Sequence, residues 1–235
     1  MAGAVPKTGA NVLDINNSKL DGVIATDTNV LLYAFGYNLG MEEDLIDKNY
    51  YNRAKQFKYY NFIERLSNNE TILIYTYTTI NEIRTVVQKL VSTKKGKEIG
   101  YTPDEASKNW KSIFQKYKDL SSISNDYSNE ILNAISSSPY IMYFEQDTSQ
   151  NLVNLSGELL KQYPIDSNDA TIIANALLYG VNSIASDEYN FKNISGINLY
   201  TANKKLINEI GQISDELIDY DIACRLYNIK KENNG

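Results

Sequence analysis

Four acidic side chains lie inside or beside strongly apolar segments: Asp27 in VIATD, Glu82 in YTTINEI, Asp169 in DATIIANAL and Asp187 in SIASD. Burying a carboxylate costs free energy unless it is paired or bound to a metal ion. No lysine or arginine is adjacent in sequence to Asp27, Asp169 or Asp187. Because clustered acids repel one another and a divalent cation removes that repulsion, the pattern favours a metal site built from carboxylates.

Each acid also has a simpler structural explanation when it is considered alone. Aspartate is common where strands end, so Asp27 could belong to a turn that caps the next helix. Asp169 could simply lie near the positive end of a helix, and Glu82 could be an ordinary first-turn acid. Only the four acids taken together favour a shared site.

The composition limits the chemistry that such a site can perform. The chain contains no histidine and one cysteine, Cys224. A zinc site that depends on histidine or on several thiolates is therefore excluded, and so are Ser–His–Asp and Cys–His catalysis. Oxygen ligands select hard cations, so the expected metal is Mg²⁺ or Mn²⁺.

The 235 residues can bury a substantial core, and a hydrophobic content of 43% is typical of a globular protein. The net charge of −6 argues against a broadly basic nucleic-acid-binding protein. No apolar run of about 18 residues and no signal-like start occur, and a single cysteine fits a reducing compartment. We expect a cytoplasmic protein.

Apolar runs alternate with helical periodicity along the chain. They predict strands over 23–26, 71–75, 140–144, 182–186 and 197–200, and helices after residue 28 and over 50–66, 79–90, 104–118, 124–136, 149–162, 167–179 and 203–231. In the helix over 167–179, Ser167 or Asn168 is the expected cap and Gly180 the expected C′ residue. The alternation predicts a three-layer α/β fold with an open, mostly parallel central sheet flanked by helices.

The domain organisation follows from the same pattern. Residues 1–20 are predicted to be an N-terminal extension, and residues 21–202 the α/β domain. Residues from about 92 to 139 are predicted to be an insertion of a loop followed by helices. Residues 203–235 are predicted to form an extra C-terminal helix that packs on the domain.

The predicted fold brings the four acids to one edge of the sheet. Ligands of open parallel sheets bind beyond the carboxyl ends of the strands. Asp27 and Asp187 end two strands, Glu82 is expected in the first turn of the helix after the second strand, and Asp169 opens the helix that precedes Asp187. We therefore expect the four carboxylates to converge.

The order of these segments resembles the PIN-domain nucleases over roughly residues 21–202. That family has a hydrophobic strand ending in Asp-Thr-Asn, here Asp27-Thr28-Asn29, and a glutamate near the start of a later helix, here Glu82. It also has a helix beginning Asp-Ala, here Asp169-Ala170. A strand ending in Ser or Thr and an acid follows, here Ser186-Asp187, and then a phenylalanine, here Phe191.

Two features depart from the family pattern. The fourth acid usually precedes the phenylalanine by three residues, whereas Asp187 precedes Phe191 by four; Glu188 has the usual spacing and is the substitute for Asp187. In addition, the insertion at 92–139 and the C-terminal helix are longer than in the compact bacterial toxin members.

The resemblance implies a magnesium- or manganese-dependent phosphodiesterase that cleaves RNA as an endoribonuclease. Asp27, Glu82, Asp169 and Asp187 would be catalytic and would hold one or two ions. Thr28, Asn29 and Ser186 would orient the carboxylates or contact a phosphate, although Asn29 could equally make a helix-start hydrogen bond. The resemblance also allows a toxin of a toxin–antitoxin pair, an antitoxin-like protein partner and a homo-oligomer.

The expected substrate contacts are Lys94, Lys95 and Lys97, in a glycine-containing loop after the Glu82 helix. Such a cluster could bind backbone phosphates, or it could be a solvated loop without function. Arg84 is expected to point elsewhere on the helix and to be structural.

Two other functions remain open from the sequence. One is a non-catalytic PIN-like or Rossmann-like binding or assembly module. The other is an aspartyl-phosphate phosphatase with Asp27 as the nucleophile, although such phosphatases carry a second aspartate where this chain has Asn29. A nucleotide-binding Rossmann enzyme is disfavoured because no Gly-x-Gly-x-x-Gly sequence follows a strand.

Overall fold

The computed structural model describes residues 9–36 and 59–209. They form a six-stranded sheet in the order β1-β6-β5-β2-β3-β4, and every pairing is parallel. The strands are β1 (Asn11–Asp14), β2 (Val23–Thr26), β3 (Ile72–Tyr75), β4 (Ile141–Tyr143), β5 (Ser183–Ala185) and β6 (Asn198–Thr201). The predicted open parallel α/β sheet is thus confirmed.

Helices connect the strands. In chain order they are α1 (Thr28–Phe35), α2 (Tyr59–Asn68), α3 (Tyr77–Glu98), α4 (Pro103–Lys108), α5 (Trp110–Lys116), α6 (Asp119–Ser136), α7 (Gln150–Gln162), α8 (Ser167–Leu178) and α9 (Lys204–Glu209), with a 3₁₀ turn over Tyr189–Asn193. The part of the predicted 50–66 helix before residue 59, and the predicted C-terminal helix beyond residue 209, lie outside the described residues.

Alternate residues of the strands face two separate cores, as expected for a sheet that is covered on both sides. Ile24, Leu73 and Tyr200 belong to the core beneath α1, α2, α3, α5 and α6. Their neighbours Ala25, Ile74 and Leu199 belong to the core beneath α7, α8, the 3₁₀ turn and α9. The sequences of the central strands are continuous apolar runs because both faces of these strands are buried.

The sequence did not predict β1, which falls in the segment expected to be an N-terminal extension. A hydrogen-bond network at the amino ends of the strands helps to hold it in register. The Asn11 side chain donates to Asn198 Oδ1 at 2.8 Å, and Asn198 Nδ2 donates to Asp21 Oδ2 at 2.9 Å. The Ser183 hydroxyl donates to the same aspartate oxygen, so β1, β5 and β6 are linked through side chains.

The predicted loop after the Glu82 helix is wrong at its start, because α3 continues through the lysine cluster to Glu98. Gly96 permits this continuation. A Cβ at Gly96 would lie 2.7 Å from Ala106 Cβ and 2.8 Å from Ile113 Cδ1, so only glycine lets α3 pack this closely on α4 and α5. The chain turns only afterwards, at Gly100, where φ is +97°.

No helix within the described residues is both long enough and apolar enough to cross a membrane.

Replacing Gly96 by alanine should destabilise the protein by about 1–3 kcal/mol, because the added methyl group overpacks the contact with Ala106 and Ile113. Gly157, in α7, provides the control, since a Cβ there meets no other part of the described structure within 4 Å. Gly157→Ala should raise stability by about 0.5–1 kcal/mol through helix propensity. Urea unfolding of the two variants measures the difference, and a stabilising Gly96→Ala would contradict the packing argument.

Candidate acidic active site

Asp27 lies at the carboxyl end of the central strand β2, and its side chain is only 2% exposed. It occupies the N-cap position of α1, but within the described residues its carboxylate makes no capping hydrogen bond. Asp27 Oδ2 instead accepts a hydrogen bond from Ser186 Oγ at 2.9 Å, across the β2–β5 pair. A simple helix cap therefore does not explain this carboxylate.

Glu82 lies on α3 and points to the start of α1. Thr28 Oγ1, which is buried, donates to Glu82 Oε2 at 2.7 Å. The predicted position in the first turn is wrong by one turn, because α3 begins five residues earlier at Tyr77. The contact nevertheless joins the helix after β2 to the helix after β3.

Asp169 lies in the first turn of α8, as predicted, but the helix cap is Asp166. Asp166 Oδ1 accepts from the backbone N–H groups of Asn168 and Asp169, at 2.8 and 2.9 Å. The predicted cap at Ser167 or Asn168 is therefore wrong, whereas Gly180 follows the helix end with φ +75° as expected. Asp166 is an additional acid that the sequence analysis missed; its position directly before the predicted helix was the available signal.

Asp187 and Glu188 follow β5, and both are half-buried. The charge of Asp187 raises the pKa of Asp27, whereas the charge of Glu188 raises the pKa of Asp169. The Ser186 hydroxyl, which donates to Asp27, accepts from the Glu188 backbone N–H at 3.0 Å. Both candidates for the fourth acid therefore interact with the cluster. Asp187 acts on Asp27, whereas Glu188 acts on Asp169.

The pKa of Asp27 is raised well above the ordinary value of an aspartate. Burial is the largest cause, followed by the negative charges of Asp169 and Asp187, and the charge of Glu82 contributes as well. The hydrogen bond from Ser186 opposes the shift. The four acids predicted from the sequence therefore share one electrostatic field, although they come from four separate segments of the chain.

The pKa of Asp169 is raised to about 7, first by burial and then by Asp166, Glu82 and Glu188. Burial also raises the pKa of Glu82, against the opposing hydrogen bond from Thr28. Among the described residues, no lysine or arginine forms an ion pair with Asp27, Glu82 or Asp169. Within the part of the chain that the structure describes, basic side chains therefore do not neutralise the charges of these three acids.

The donor set fits a hard divalent cation in its chemistry, because every candidate ligand is a carboxylate oxygen in a negative, partly buried environment. In the described parts of the chain, however, no three Asp, Glu, His or Cys side chains are already close enough together to hold a metal ion. Direct coordination would require the side chains to rotate toward one another. Like charges without a counterion oppose that approach, and a cation would favour it.

The remaining predicted residues divide into two groups. Thr28 and Ser186 are buried and orient Glu82 and Asp27, whereas Asn29 is half-buried and its side chain bonds to no described residue. The lysine cluster, Lys94, Lys95 and Lys97, lies about 18 to 22 Å along α3 from Glu82, at 1.5 Å per residue. Lys95 pairs with Glu98 at 3.2 Å. These lysines are on a helix and remote from the acids.

Comparisons with known proteins assign no family. No family model matches the sequence, and no curated protein matches it. A structural similarity exists to a chain of VapBC2 from Rickettsia felis bound to a DNA fragment from the promoter, at 17% identity and a TM-score of 0.41. The similarity covers 75% of this chain and 96% of that chain. Neither its identity nor its TM-score assigns an activity.

The raised pKa values predict that the metal-free protein loses stability as the pH rises. The unfolded chain releases these protons near the ordinary aspartate pKa, whereas folded Asp169 holds its proton up to a pKa of about 7. Protonated Asp169 therefore favours the folded state at low pH. This stabilisation is lost as the pH rises from the ordinary aspartate pKa to about 7. Urea unfolding in EDTA from pH 4.5 to 8 should show the decline.

The variant Asp169→Asn should be more stable than the wild type at pH 8 by roughly 1–3 kcal/mol, and the gain should shrink toward pH 4.5. Asp126→Asn, which changes an exposed acid on α6, is the matched control and should show no such gain. A wild-type protein whose stability increases up to pH 8 would contradict the assigned electrostatics.

Proposed function

We propose that the protein is a metal-dependent phosphodiesterase that cleaves RNA internally. Asp27, Glu82, Asp169 and Asp187 would hold one or two Mg²⁺ or Mn²⁺ ions, with Glu188 as the alternative to Asp187. The observation that carries the proposal is the buried carboxylate of Asp27, whose pKa three other acids raise from separate elements. The ordered PIN-like motifs in the sequence support the same reading.

The side chains around the acids have roles that follow from their hydrogen bonds. Ser186 holds one oxygen of Asp27, and Thr28 holds one oxygen of Glu82, so each carboxylate keeps a defined direction. Asp166 fixes the first turn of α8 by binding the backbone N–H groups of Asn168 and Asp169, and so sets the position of Asp169. These contacts restrain the acids near the edge of the sheet, and binding of a metal ion would still require their side chains to rotate toward one another.

A bound ion would supply the Lewis acidity that this histidine-free chain lacks, by activating water and stabilising charge on the phosphate. The chain itself contributes the ligands and their orientation. Asp169 would also release a proton when a cation binds near neutral pH, since its pKa in the absence of a cation is about 7.

The resemblance to PIN-domain nucleases extends the proposal to a toxin that an antitoxin-like protein restrains. The long helical segment between β3 and β4 departs from the compact toxin members, and the nuclease proposal does not depend on toxin membership. A homo-oligomer is compatible with either case.

Cleavage of an RNA substrate should require Mg²⁺ or Mn²⁺ and should cease in EDTA. Asp27→Asn and Asp169→Asn should each lower the cleavage rate at least a hundredfold, because each removes a charged metal ligand while preserving side-chain shape. Asp126→Asn should retain the wild-type rate. Cleavage that proceeds equally well in EDTA, with a purified protein free of contaminating ribonuclease, would rule out the proposed mechanism.

Metal binding separates a nuclease from a non-catalytic module with the same fold. Titration calorimetry with Mn²⁺ at pH 7 to 8 should detect binding accompanied by proton release, and Asp27→Asn and Asp169→Asn should weaken it at least tenfold. Saturating metal at a hundred times its dissociation constant should stabilise the fold by about 2.7 kcal/mol. A parallel comparison of Asp187→Asn with Glu188→Gln identifies the fourth ligand as the variant with the larger loss. If the protein bound no Mn²⁺, the result would support the non-catalytic binding or assembly module.

A further inference from the structure

A cleft of about 440 Å³ lies between α3, α5 and α6. Arg84 and Gln88 line it from α3, Phe114 from α5, and Ser124, Asn125 and Ser128 from α6. Arg84 is two residues from Glu82, which places it about 200° around the helix axis and so on the other side of α3 from the acids. The cleft is therefore separate from the proposed metal site.

Small side chains create the cleft. Packed helices normally fill their interface with larger apolar residues, whereas α6 presents serines at this point. The Ser124 hydroxyl donates to the Ser121 carbonyl at 3.1 Å, and the Ser128 hydroxyl donates to the Ser124 carbonyl at 2.7 Å. Both of these serines are buried, at 3% and 2% exposure, so the accessible polar groups that α6 offers to the cleft are those of Ser121, Ser122 and Asn125.

Arg84 was expected from the sequence to be structural, yet it is exposed and forms no hydrogen bond, ion pair or ring contact within the described structure. A guanidinium group presents several donors in a fixed plane and suits phosphate oxygens. None of the described residues that line the cleft is acidic. Its polar wall therefore favours an anionic ligand.

The charge of the surrounding segment is opposite to that of the whole chain. Residues 84–128, from the first to the last residue of the cleft lining, include nine Lys or Arg and five Asp or Glu, in a chain of net charge −6. Arg84, Gln88, Val91 and Lys95 recur at helical spacing on one side of α3. The ammonium groups of Lys95 and Lys116 lie 5.5 and 5.4 Å from the centre of the Tyr117 ring, so the cationic side continues beyond the cleft.

We propose that this cleft binds single-stranded RNA, with Arg84 on a backbone phosphate and the Phe114 ring against a base. The exposed Ser121 and Ser122 hydroxyls and the Gln88 and Asn125 amides would bind base edges and the 2′-hydroxyl groups. Single strands are bound in general by positive grooves that contain aromatic side chains, and the 2′-hydroxyl distinguishes RNA from DNA. The choice of RNA as the ligand rests on the proposed nuclease function.

The test is fluorescence anisotropy with a labelled single-stranded RNA of about twelve nucleotides and the full chain, in EDTA so that metal-dependent cleavage is suppressed. Arg84→Gln should weaken binding about fivefold to tenfold and should lower the slope of log K against log salt by about 0.7, the value for one phosphate contact on a single strand. Phe114→Leu, which keeps an apolar side chain beside the core, should weaken binding about fivefold with little change in the slope.

Lys161→Gln is the matched control, because it also removes one positive charge but lies on α7, which packs on the other face of the sheet. It should change binding less than twofold, and thermal unfolding of all three variants verifies that they are folded. The same sequence made as DNA should bind more weakly than the RNA. The proposal would be overturned if the Arg84→Gln and Phe114→Leu variants both bound RNA as tightly as the wild type. It would also be overturned if duplex RNA competed for the protein as well as single-stranded RNA does.

The cleavage assay distinguishes this inference from the proposed function. RNA that binds with the expected sensitivity to Arg84→Gln, but is never cut with Mn²⁺ present, would support the cleft and refute the nuclease. If Arg84→Gln and the wild type cut RNA in a metal-dependent manner with the same KM, RNA binding at the cleft would be refuted and the proposed nuclease function would stand. If both are right, KM should rise in Arg84→Gln by the factor seen in binding.

Discussion

The repulsion between the buried carboxylate of Asp27 and its half-buried acidic neighbours, at the carboxyl edge of the sheet, is the interaction on which the rest of the site depends. Asp27 ends the central strand β2, which pairs with β3 on one side and β5 on the other. The parallel arrangement directs the chain after all three strands to the same edge, so acids that follow these strands lie near one another there. A sheet buried on both faces can position such groups firmly, but burial also raises the free energy of their charged forms.

The sequence predicted the five strands after residue 20 because buried strands of a parallel sheet read as short apolar runs. The same rule failed for β1, since Asn11 and Asp14 give that segment a polar appearance and its stability comes from contacts with β6 and Asn198. The length of α3 was missed for a related reason. A glycine among lysines is typical of a loop, and only the close approach of Ala106 and Ile113 explains a helical glycine there.

The proximity of the four acids was predictable, because it depends on where strands end and helices begin in a parallel sheet; their role as a site stays a prediction. Their detailed geometry was not predictable. Whether Asp27 caps α1 or accepts from Ser186 depends on a residue that lies 159 positions away in the sequence. Similarly, the sequence did not show that Asp166 belongs to the cluster. The structure shows it, because α8 begins directly after Asp166 and Asp166 lies close enough to Glu82 and Asp169 to raise their pKa values.

An acidic protein can bind a polyanion if its charges are segregated, and α3 is the element that separates them here. Glu82 and Arg84 are neighbours in sequence, but the helix directs them to opposite sides: one toward Thr28 and the acids, the other toward the cleft beside α6. A backbone phosphate at the acidic edge requires a cation to offset repulsion, whereas a phosphate at Arg84 does not. If both proposals hold, RNA binding at Arg84 and metal dependence at Glu82 would lie on different sides of one helix, so mutations could separate the two properties.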